Sequence, residues 1–157
     1  NGSITHDSIK LAKLEYTDLN DLCLIIEKLS DDYLIQNYID EIIDAIRSSK
    51  IKLTIDQKNS IKFKLKAIVD SKLPSPGGIL HEGYKIICEA SILTLETYEA
   101  APWQLLINRA NQINNASDKA LVLMILAGKI TVKSKTKKIE LMESAFNLTK
   151  TIFLVLL

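Results

Sequence analysis

The chain has 157 residues, about the length of one domain, and its 5 glycines and 3 prolines are too few for the many corners of a β-sandwich or barrel. Its 23 isoleucines and 23 leucines, against only 4 valines, favour helices. The net charge of +1 excludes a strong overall field that would direct the chain to nucleic acid or to a membrane.

The first third of the chain carries apolar residues at helical spacing. We predict a short helix over 8–14 and a longer one that begins near Asp18, with Thr17 or Asp18 as its N-cap. The run at 30–32 interrupts the pattern and caps a further helix that ends near Ser48. The predicted apolar faces of the two longer helices are Leu19, Leu22, Ile26 and Leu29, and Ile35, Ile39, Ile42, Ile43 and Ile46, with Asp40, Glu41 and Asp44 opposite the second.

A linker and a capped helix follow. Residues 51–55 alternate apolar and polar side chains, which we interpret as an extended linker rather than a strand. Thr54 is predicted to cap the next helix, because Gln57 stands three residues later as in a capping box. The predicted buried face of this helix is Ile61, Leu65, Ile68 and Val69. The Pro/Gly break at 73–78 then ends the first half of the chain.

The second half is predicted to contain four helices. The first runs over 79–100, the second has Pro102 in its first turn and ends at 114–115, the third is capped at 117–118, and the last follows the polar stretch 133–138. The apolar residues predicted for the last three are Leu105, Leu106, Ala110 and Ile113; Leu121, Met124, Ile125 and Ile130; and Ile139, Leu141, Met142 and Ala145.

These elements indicate an all-α chain of about eight antiparallel helices, since short connections place sequence neighbours side by side. We expect a single helical domain over 1–157, built as stacked helical hairpins, with a compact helical bundle as the alternative. Cys23 and Cys88 lie in apolar runs, so we expect buried, unpaired thiols in the reducing environment of the cytoplasm. We recognise neither a signal peptide nor an apolar run of the length that spans a bilayer.

Residues 118–152 form a helix pair with small residues at matching places. Ala127 on the first helix and Ala145 on the second would let the helices approach closely, while Leu126 and Phe146 fill the space beside them. This pair resembles a degenerate tetratricopeptide- or HEAT-like repeat unit, although the loop at 133–138 is longer than in that family and no proline closes the second helix. The resemblance implies a stack of irregular repeats, of the kind that forms sensing arms in larger signalling proteins.

We therefore expect a non-enzymatic interaction module that holds a protein partner, or an adjoining domain of a longer chain, on a concave helical face with a charged rim. Trp103 is a candidate anchor if it is exposed, and packing beneath the preceding loop is the alternative. Residues 152–157 are consecutively apolar and need a surface on this chain or on a partner. The residues predicted to contact the partner are Trp103, Lys58, Lys62, Lys66, Phe153 and Leu154.

The uneven distribution of charge supports an alternative, a nucleic-acid-associated helical protein. Residues 1–48 have 4 basic and 10 acidic residues (net −6), 49–72 have 7 and 2 (net +5), and 129–157 have 6 and 2 (net +4). Arginine is scarce (2, against 18 lysines) and no aromatic residue lies among the lysines, which favours a solvated lysine face instead. The lysines concerned are Lys58, Lys62 and Lys66 at helical spacing, and Lys133, Lys135, Lys137 and Lys138.

A helical metal-dependent hydrolase is the third reading, because facing helices can bring carboxylates together. No motif marks such a site, and we predict no catalytic residue and no cofactor. The carboxylates that could serve are Asp31, Asp32, Glu82 and Glu89.

One stretch begins like a zinc-binding motif. His81 and Glu82 match the start of His-Glu-x-x-His, but Lys85 stands in place of the second histidine, so we expect no metal site. Cys88 follows His81 by two helical turns, about 10.5 Å along the axis. That separation is too large for a Cys–His catalytic dyad.

Overall fold

The computed structural model describes residues 15–73, 81–96 and 98–146, and over these ranges the chain is helical, without a strand. The all-α prediction is confirmed, and the predicted count of about eight helices is close. The predicted helix over 8–14, residues 74–78 of the Pro/Gly break and the apolar run 152–157 lie outside the described residues. The helices are α1 (Tyr16–Glu27), α2 (Asp32–Arg47), α3 (Ile55–Lys72), α4 (His81–Leu93), α5 (Ala100–Asn111), α6 (Ala116–Lys129) and α7 (Lys135–Phe146).

Each helix packs against helices that are one or two places away in the chain. α4 packs against α2 and α6, the helices two places before and after it. Two further pairs of helices two places apart also pack together: α1 with α3, and α5 with α7. Consecutive helices also pack together from α3 to α7, as do α1 and α2. α3 and α5 are likewise two places apart, but they do not pack against each other to a comparable extent. The even-numbered helices thus form a continuous row, whereas the odd-numbered row is interrupted between α3 and α5.

The buried apolar side chains form two clusters that meet at α4. The first cluster joins α1, α2 and α3, and the second joins α5, α6 and α7. Cys88 and Ile92 of α4 belong to the first cluster, and Ile86, Ile87 and Ala90 belong to the second. A helix that is apolar on opposite sides must be buried on both, so α4 is the central element that connects the two clusters.

Two helix starts agree with the sequence signals. The Asp31 carboxylate accepts a hydrogen bond from the Leu34 backbone N–H at 3.0 Å and caps α2. Thr54 and Gln57 form the predicted capping box of α3, in which each side chain accepts a hydrogen bond from the other's backbone N–H at 3.1 Å. Residues 51–54 form no strand, as predicted, but Ile55, assigned to the linker, is the first residue of α3.

Two other predicted N-caps are wrong by two or three residues. Glu15, rather than Thr17 or Asp18, caps α1, and the Asp18 carboxylate accepts a hydrogen bond from the Glu15 N–H at 2.7 Å. Asn115 caps α6, because its Oδ1 accepts a hydrogen bond from the Asp118 N–H at 3.0 Å. In both cases the aspartate predicted as the cap is the third residue of the helix, where a negative charge also favours the helix dipole.

The single long helix predicted over 79–100 is also wrong, since α4 ends at Leu93 and α5 begins at Ala100. The Thr94 hydroxyl donates a hydrogen bond to the Ser91 carbonyl at 2.6 Å. The backbone N–H groups of Leu95 and Glu96 donate to carbonyls three residues earlier, at 3.0 and 2.9 Å. These bonds tighten the chain into a turn and end the helix.

The predicted apolar faces hold for α2 and α3, whose predicted residues are all buried. For α6 the prediction is confirmed at Ile130 but wrong at Leu121, which is exposed, while Val122, Leu123 and Leu126 are buried. α6 packs against α4, α5 and α7, so its buried surface is wider than one stripe and lies elsewhere on the helix. Leu105 and Ile139, also predicted to be buried, are exposed.

Asp40, predicted on the polar side of α2, lies at a half-buried junction of three helices. Its carboxylate accepts hydrogen bonds from Gln36 of α2 and Ser91 of α4, and it lies 3.4 Å from the Lys129 Nζ of α6. The Ile87 carbonyl, 3.1 Å from the Ser91 hydroxyl, is an alternative acceptor for the same proton. The partly buried polar groups of the even-numbered helices therefore have hydrogen-bond or ion-pair partners at this junction.

Both cysteines are buried and unpaired, as predicted. Burial raises the pKa of Cys23 to about 11, although Lys64 acts in the opposite direction. Burial also raises the pKa of Cys88, beside Asp40. The two thiols therefore stay protonated at neutral pH and are poor nucleophiles.

Candidate partner-binding groove

A groove of about 390 Å³ lies where the odd-numbered row is interrupted. α3 and α5 form its walls, and α4, which packs against both, forms its base. The lining residues are Lys66, Val69 and Asp70 of α3; Glu89, Ile92 and Leu93 of α4, with Glu96 after it; and Pro102, Leu105, Leu106 and Arg109 of α5.

Apolar side chains from both walls and from α4 line the groove. Val69, Ile92 and Leu106 are buried, and Leu93 is half-buried. Leu105 stands at the edge with 64% of its surface exposed. Leu105 therefore adds an exposed apolar side chain to the edge of the buried apolar lining.

Charged side chains surround this base and form ion pairs across the walls. The Lys66 Nζ of α3 lies 2.7 Å from the Glu96 Oε1. The two terminal nitrogens of Arg109 on α5 each lie 2.7 Å from a carboxylate of α4, one from Glu82 and the other from Glu89. The ion pairs therefore tie both walls to the central segment of the fold.

Arg109 is held by two carboxylates at once. Partial burial alone would lower the pKa of Arg109, but the hydrogen bonds and charges of Glu82 and Glu89 raise it above the ordinary value. The guanidinium is therefore always charged, and its planar fork suits two acceptors. Because one positive charge faces two negative ones, this corner of the groove keeps a negative charge.

The groove as a whole is slightly acidic. Its lining contains two basic groups, Lys66 and Arg109, and three acidic groups, Asp70, Glu89 and Glu96. Asp70 is exposed and forms no ion pair with any residue that the structure describes. Seven residues before Asp70, on the same side of α3, the Phe63 side chain is 74% exposed. α3 thus presents an exposed aromatic residue two turns before Asp70, a carboxylate with no basic partner among the described residues.

Trp103 lies beneath this surface rather than on it. Its side chain is fully buried in the second apolar cluster, so the packed alternative is the one observed. The indole Nε1 has no hydrogen-bond acceptor among the described residues. Trp103 therefore anchors α5 in the core and leaves Leu105 as the exposed apolar residue of that helix.

The α3 lysines do not form one uniform surface. Lys66 is engaged by Glu96 at the groove, whereas Lys58 and Lys62 are half-exposed further along the helix. Phe153 and Leu154 lie outside the described residues.

The second lysine group has an aromatic neighbour that the sequence analysis missed. The Lys133 Nζ lies 4.7 Å from the centroid of the Tyr98 ring, a cation–π distance. The expectation that no aromatic residue accompanies the lysines is therefore wrong for this group, because the fold brings Tyr98 to it from the segment before α5.

Three of the four carboxylates considered for a hydrolase have structural roles. Asp31 caps α2, and Glu82 and Glu89 bind Arg109. Burial is the main cause that raises the pKa of Tyr84, and the negative charges of Asp31, Asp32 and Asp118 raise it further. Within residues 15–73, 81–96 and 98–146, no three metal-ligating side chains lie together, and the side chain of His81 is outside the description.

Sequence reasoning missed Arg109, Leu105 and Asp70 as groove residues. A signal existed for Arg109, because Glu82 and Glu89 are two turns apart on one helix face and can share a basic partner. No comparable signal marks Leu105, because the adjacent residues Leu106 and Ile107 of the same helix are both buried. No sequence signal marks the interruption between α3 and α5, which depends on tertiary packing.

Comparison with known proteins gives no relative: no family model matches the chain, and neither a curated protein nor a solved structure matches it. Among the helices that the structure describes, none combines the length and the apolar composition needed to cross a bilayer.

Proposed function

We propose that the protein is a non-enzymatic helical interaction module whose groove between α3 and α5 binds an amphipathic helix of a partner protein. The observation that carries the proposal is the interruption of the odd-numbered row over an apolar base. At this position a neighbouring helix would otherwise bury Leu105 and the apolar residues below it. A partner helix can supply that missing surface.

The proposal includes an architecture of stacked helical hairpins, α1–α2, α3–α4 and α5–α6, with α7 continuing the series. Contacts between helices two places apart support it, because in a stack each helix packs on its counterpart in the next hairpin. Ala127 and Ala145, the small residues of the repeat-like pair, are buried on helices that pack together. In this arrangement the groove replaces the contact between the counterparts α3 and α5.

The size and charge of the groove indicate what kind of helix it accepts. A whole helix is about 10–12 Å across, so a volume of about 390 Å³ accommodates inserted side chains rather than the helix itself. The partner would lie across the two walls and insert apolar residues between them. Because the lining is slightly acidic and Asp70 has no basic partner among the described residues, we infer a basic residue beside the apolar face of that helix.

Capture by the immobilised full chain tests this function, with native lysate used before and after nuclease treatment. Leu105→Asp places a carboxylate against the apolar base of the groove. Leu24→Asp is the matched control, because Leu24 is a leucine of α1 that is 56% exposed and does not line the groove. Both variants should unfold at nearly the wild-type temperature, since both positions are exposed.

We expect one defined protein to be retained by the wild type and by Leu24→Asp with or without nuclease. Leu105→Asp should retain about tenfold less of it, which corresponds to about 1.4 kcal/mol. Asp70→Lys should weaken retention by a smaller factor, because rim charges act mainly on association. Equal retention by Leu105→Asp and Leu24→Asp would contradict a role for the groove.

A further inference from the structure

A second surface of the molecule combines exposed lysines with an exposed aromatic ring. This basic patch is defined by Lys133, Lys135, Lys137, Lys138 and Tyr98. The first three lysines are exposed, Lys138 is half-exposed, and 58% of the Tyr98 surface is exposed. The Lys133 Nζ lies 4.7 Å from the Tyr98 ring centroid, so cation and ring are presented together.

The lysines of this patch do not serve the stability of their helix. α7 begins at Lys135, and its first turn contains three lysines and no acidic residue. Ser134 already provides the cap, because its hydroxyl accepts a hydrogen bond from the Lys137 N–H at 3.3 Å. Positive side chains at the start of a helix are unfavourable for the helix dipole. A cluster of this kind is better explained by an external anion than by the requirements of folding.

The patch has a defined position between two helices. A cleft of about 230 Å³ separates the first turns of α5 and α7, with Ala100 and Ala101 on one side and Lys137 and Glu140 on the other. Tyr98 lies two residues before the first residue of α5, and α5 packs against α7, so its ring lies beside the lysines. Glu140 and Glu99 are the acidic residues nearest in sequence, and they leave the segment from Lys133 to Glu140 with a positive charge.

We propose that the basic patch binds single-stranded nucleic acid without sequence preference, with phosphates on the lysines and a base stacked on Tyr98. Lysine holds phosphate as a point charge, and the patch has no arginine fork for reading base edges. An exposed ring favours a single strand, whose bases are free to stack, over a duplex and over an acidic peptide. The α3 lysines lack this combination, since Lys66 is paired with Glu96. The proposal is independent of the groove.

Fluorescence anisotropy with a labelled oligothymidylate of about 15 nucleotides and the full chain tests the proposal. We expect the logarithm of affinity to fall with the logarithm of salt concentration with a slope of about −2 to −3, as for three or four phosphate contacts. Lys135→Glu combined with Lys137→Glu should lower affinity at least about tenfold. Lys58→Glu combined with Lys62→Glu changes the net charge equally, and should change affinity less than about twofold in moderate salt.

Substitution of the ring separates stacking from charge. Tyr98→Ala should lower affinity about fivefold or more with little change in the salt slope, whereas Tyr98→Phe should retain wild-type affinity. A duplex of the same sequence, polyglutamate and anionic vesicles should each compete more weakly than the single strand. The proposal is overturned if the oligonucleotide does not bind, if both lysine double variants weaken it equally, if Tyr98→Ala has no effect, or if any of these competitors equals the single strand.

Discussion

Arg109 positions one wall of the groove through a single side chain. Its guanidinium contacts Glu82 and Glu89 of α4 at 2.7 Å each, and its side chain is 34% exposed. Because water screens contacts of this kind, each ion pair stabilises the fold by only a few tenths of a kcal/mol to about 1 kcal/mol. Because Glu82 and Glu89 lie two turns apart on α4, Arg109 links α5 to α4 at two points.

Cys23 gives the fold a testable dependence on pH. Its pKa is raised by burial to about 11, whereas the pKa of a cysteine in an unfolded chain is about 8.5. Between these values the folded chain keeps a proton that the unfolded chain has lost, so the stability that this group contributes is complete below about pH 8.5 and is lost as the pH rises.

Urea unfolding of the wild type and of Cys23→Ala, each at about pH 8 and about pH 10, measures this effect. The wild type should lose about 1–2 kcal/mol more unfolding free energy between the two pH values than the variant does. Cys88 is present in both proteins and cancels in the comparison. Identical losses in the two proteins would show that Cys23 is not shielded from solvent.

Single residues also show where sequence reasoning stops. The burial of Cys23 and Cys88 followed from their apolar neighbours and is confirmed. Trp103 could be placed at a helix start, but whether its ring faced the core or the solvent depended on α6 and α7. Tyr98 met Lys133 only through the packing of α5 on α7.

At the scale of helices, the capping box of α3 is a local device with a measurable effect. Thr54 and Gln57 satisfy backbone N–H groups that the helix leaves unpaired at its start. Thr54→Ala should lower the free energy of unfolding by about 1 kcal/mol, and Thr54→Ser should retain most of it. Chemical unfolding of the three proteins makes the comparison. An alanine variant as stable as the serine variant would mean that the cap contributes nothing.

Some helix predictions were correct and others wrong, depending on whether local residues or tertiary packing decides the feature. The caps of α2 and α3 were predicted correctly, whereas those of α1 and α6 were missed because an aspartate is favourable both as an N-cap and in the first helical turn. The stripe of α6 was wrong at Leu121 because α4, α5 and α7 together cover a wide side of the helix, and Leu121 lies on the opposite side. The long helix over 79–100 was wrong because the Thr94 hydroxyl and its neighbouring turn bonds outweigh an apolar pattern that would otherwise continue.

At the scale of the whole molecule, α4 is the helix that both apolar clusters and the groove share. It joins both apolar clusters, carries the two carboxylates that hold Arg109, and forms the base of the groove. The concave, charge-rimmed face expected from the sequence has a concrete candidate in this groove. Its position could not be predicted, because the gap between α3 and α5 is a property of tertiary packing and not of either helix.

The groove and the basic patch share α5 but use different parts of it. Leu105 and Arg109 face the groove, whereas Ala100 and Ala101 border the cleft beside the patch. A protein helix and a nucleic-acid strand could therefore bind without competing for the same residues. The Leu105→Asp and Lys135→Glu/Lys137→Glu variants should each affect one kind of binding and leave the other intact.

Site-specific photo-crosslinking tests the central claim, the groove as the partner-binding surface, most directly. A photoreactive amino acid is introduced in place of Leu105 or, as the matched control, in place of Leu24, and the full chain is irradiated in native lysate. We expect one adduct of discrete mass from position 105, suppressed by an excess of unmodified chain, and none of that mass from position 24. Equal adducts from both positions, or no adduct from position 105 while the captured partner stays bound, would contradict the groove as the binding surface.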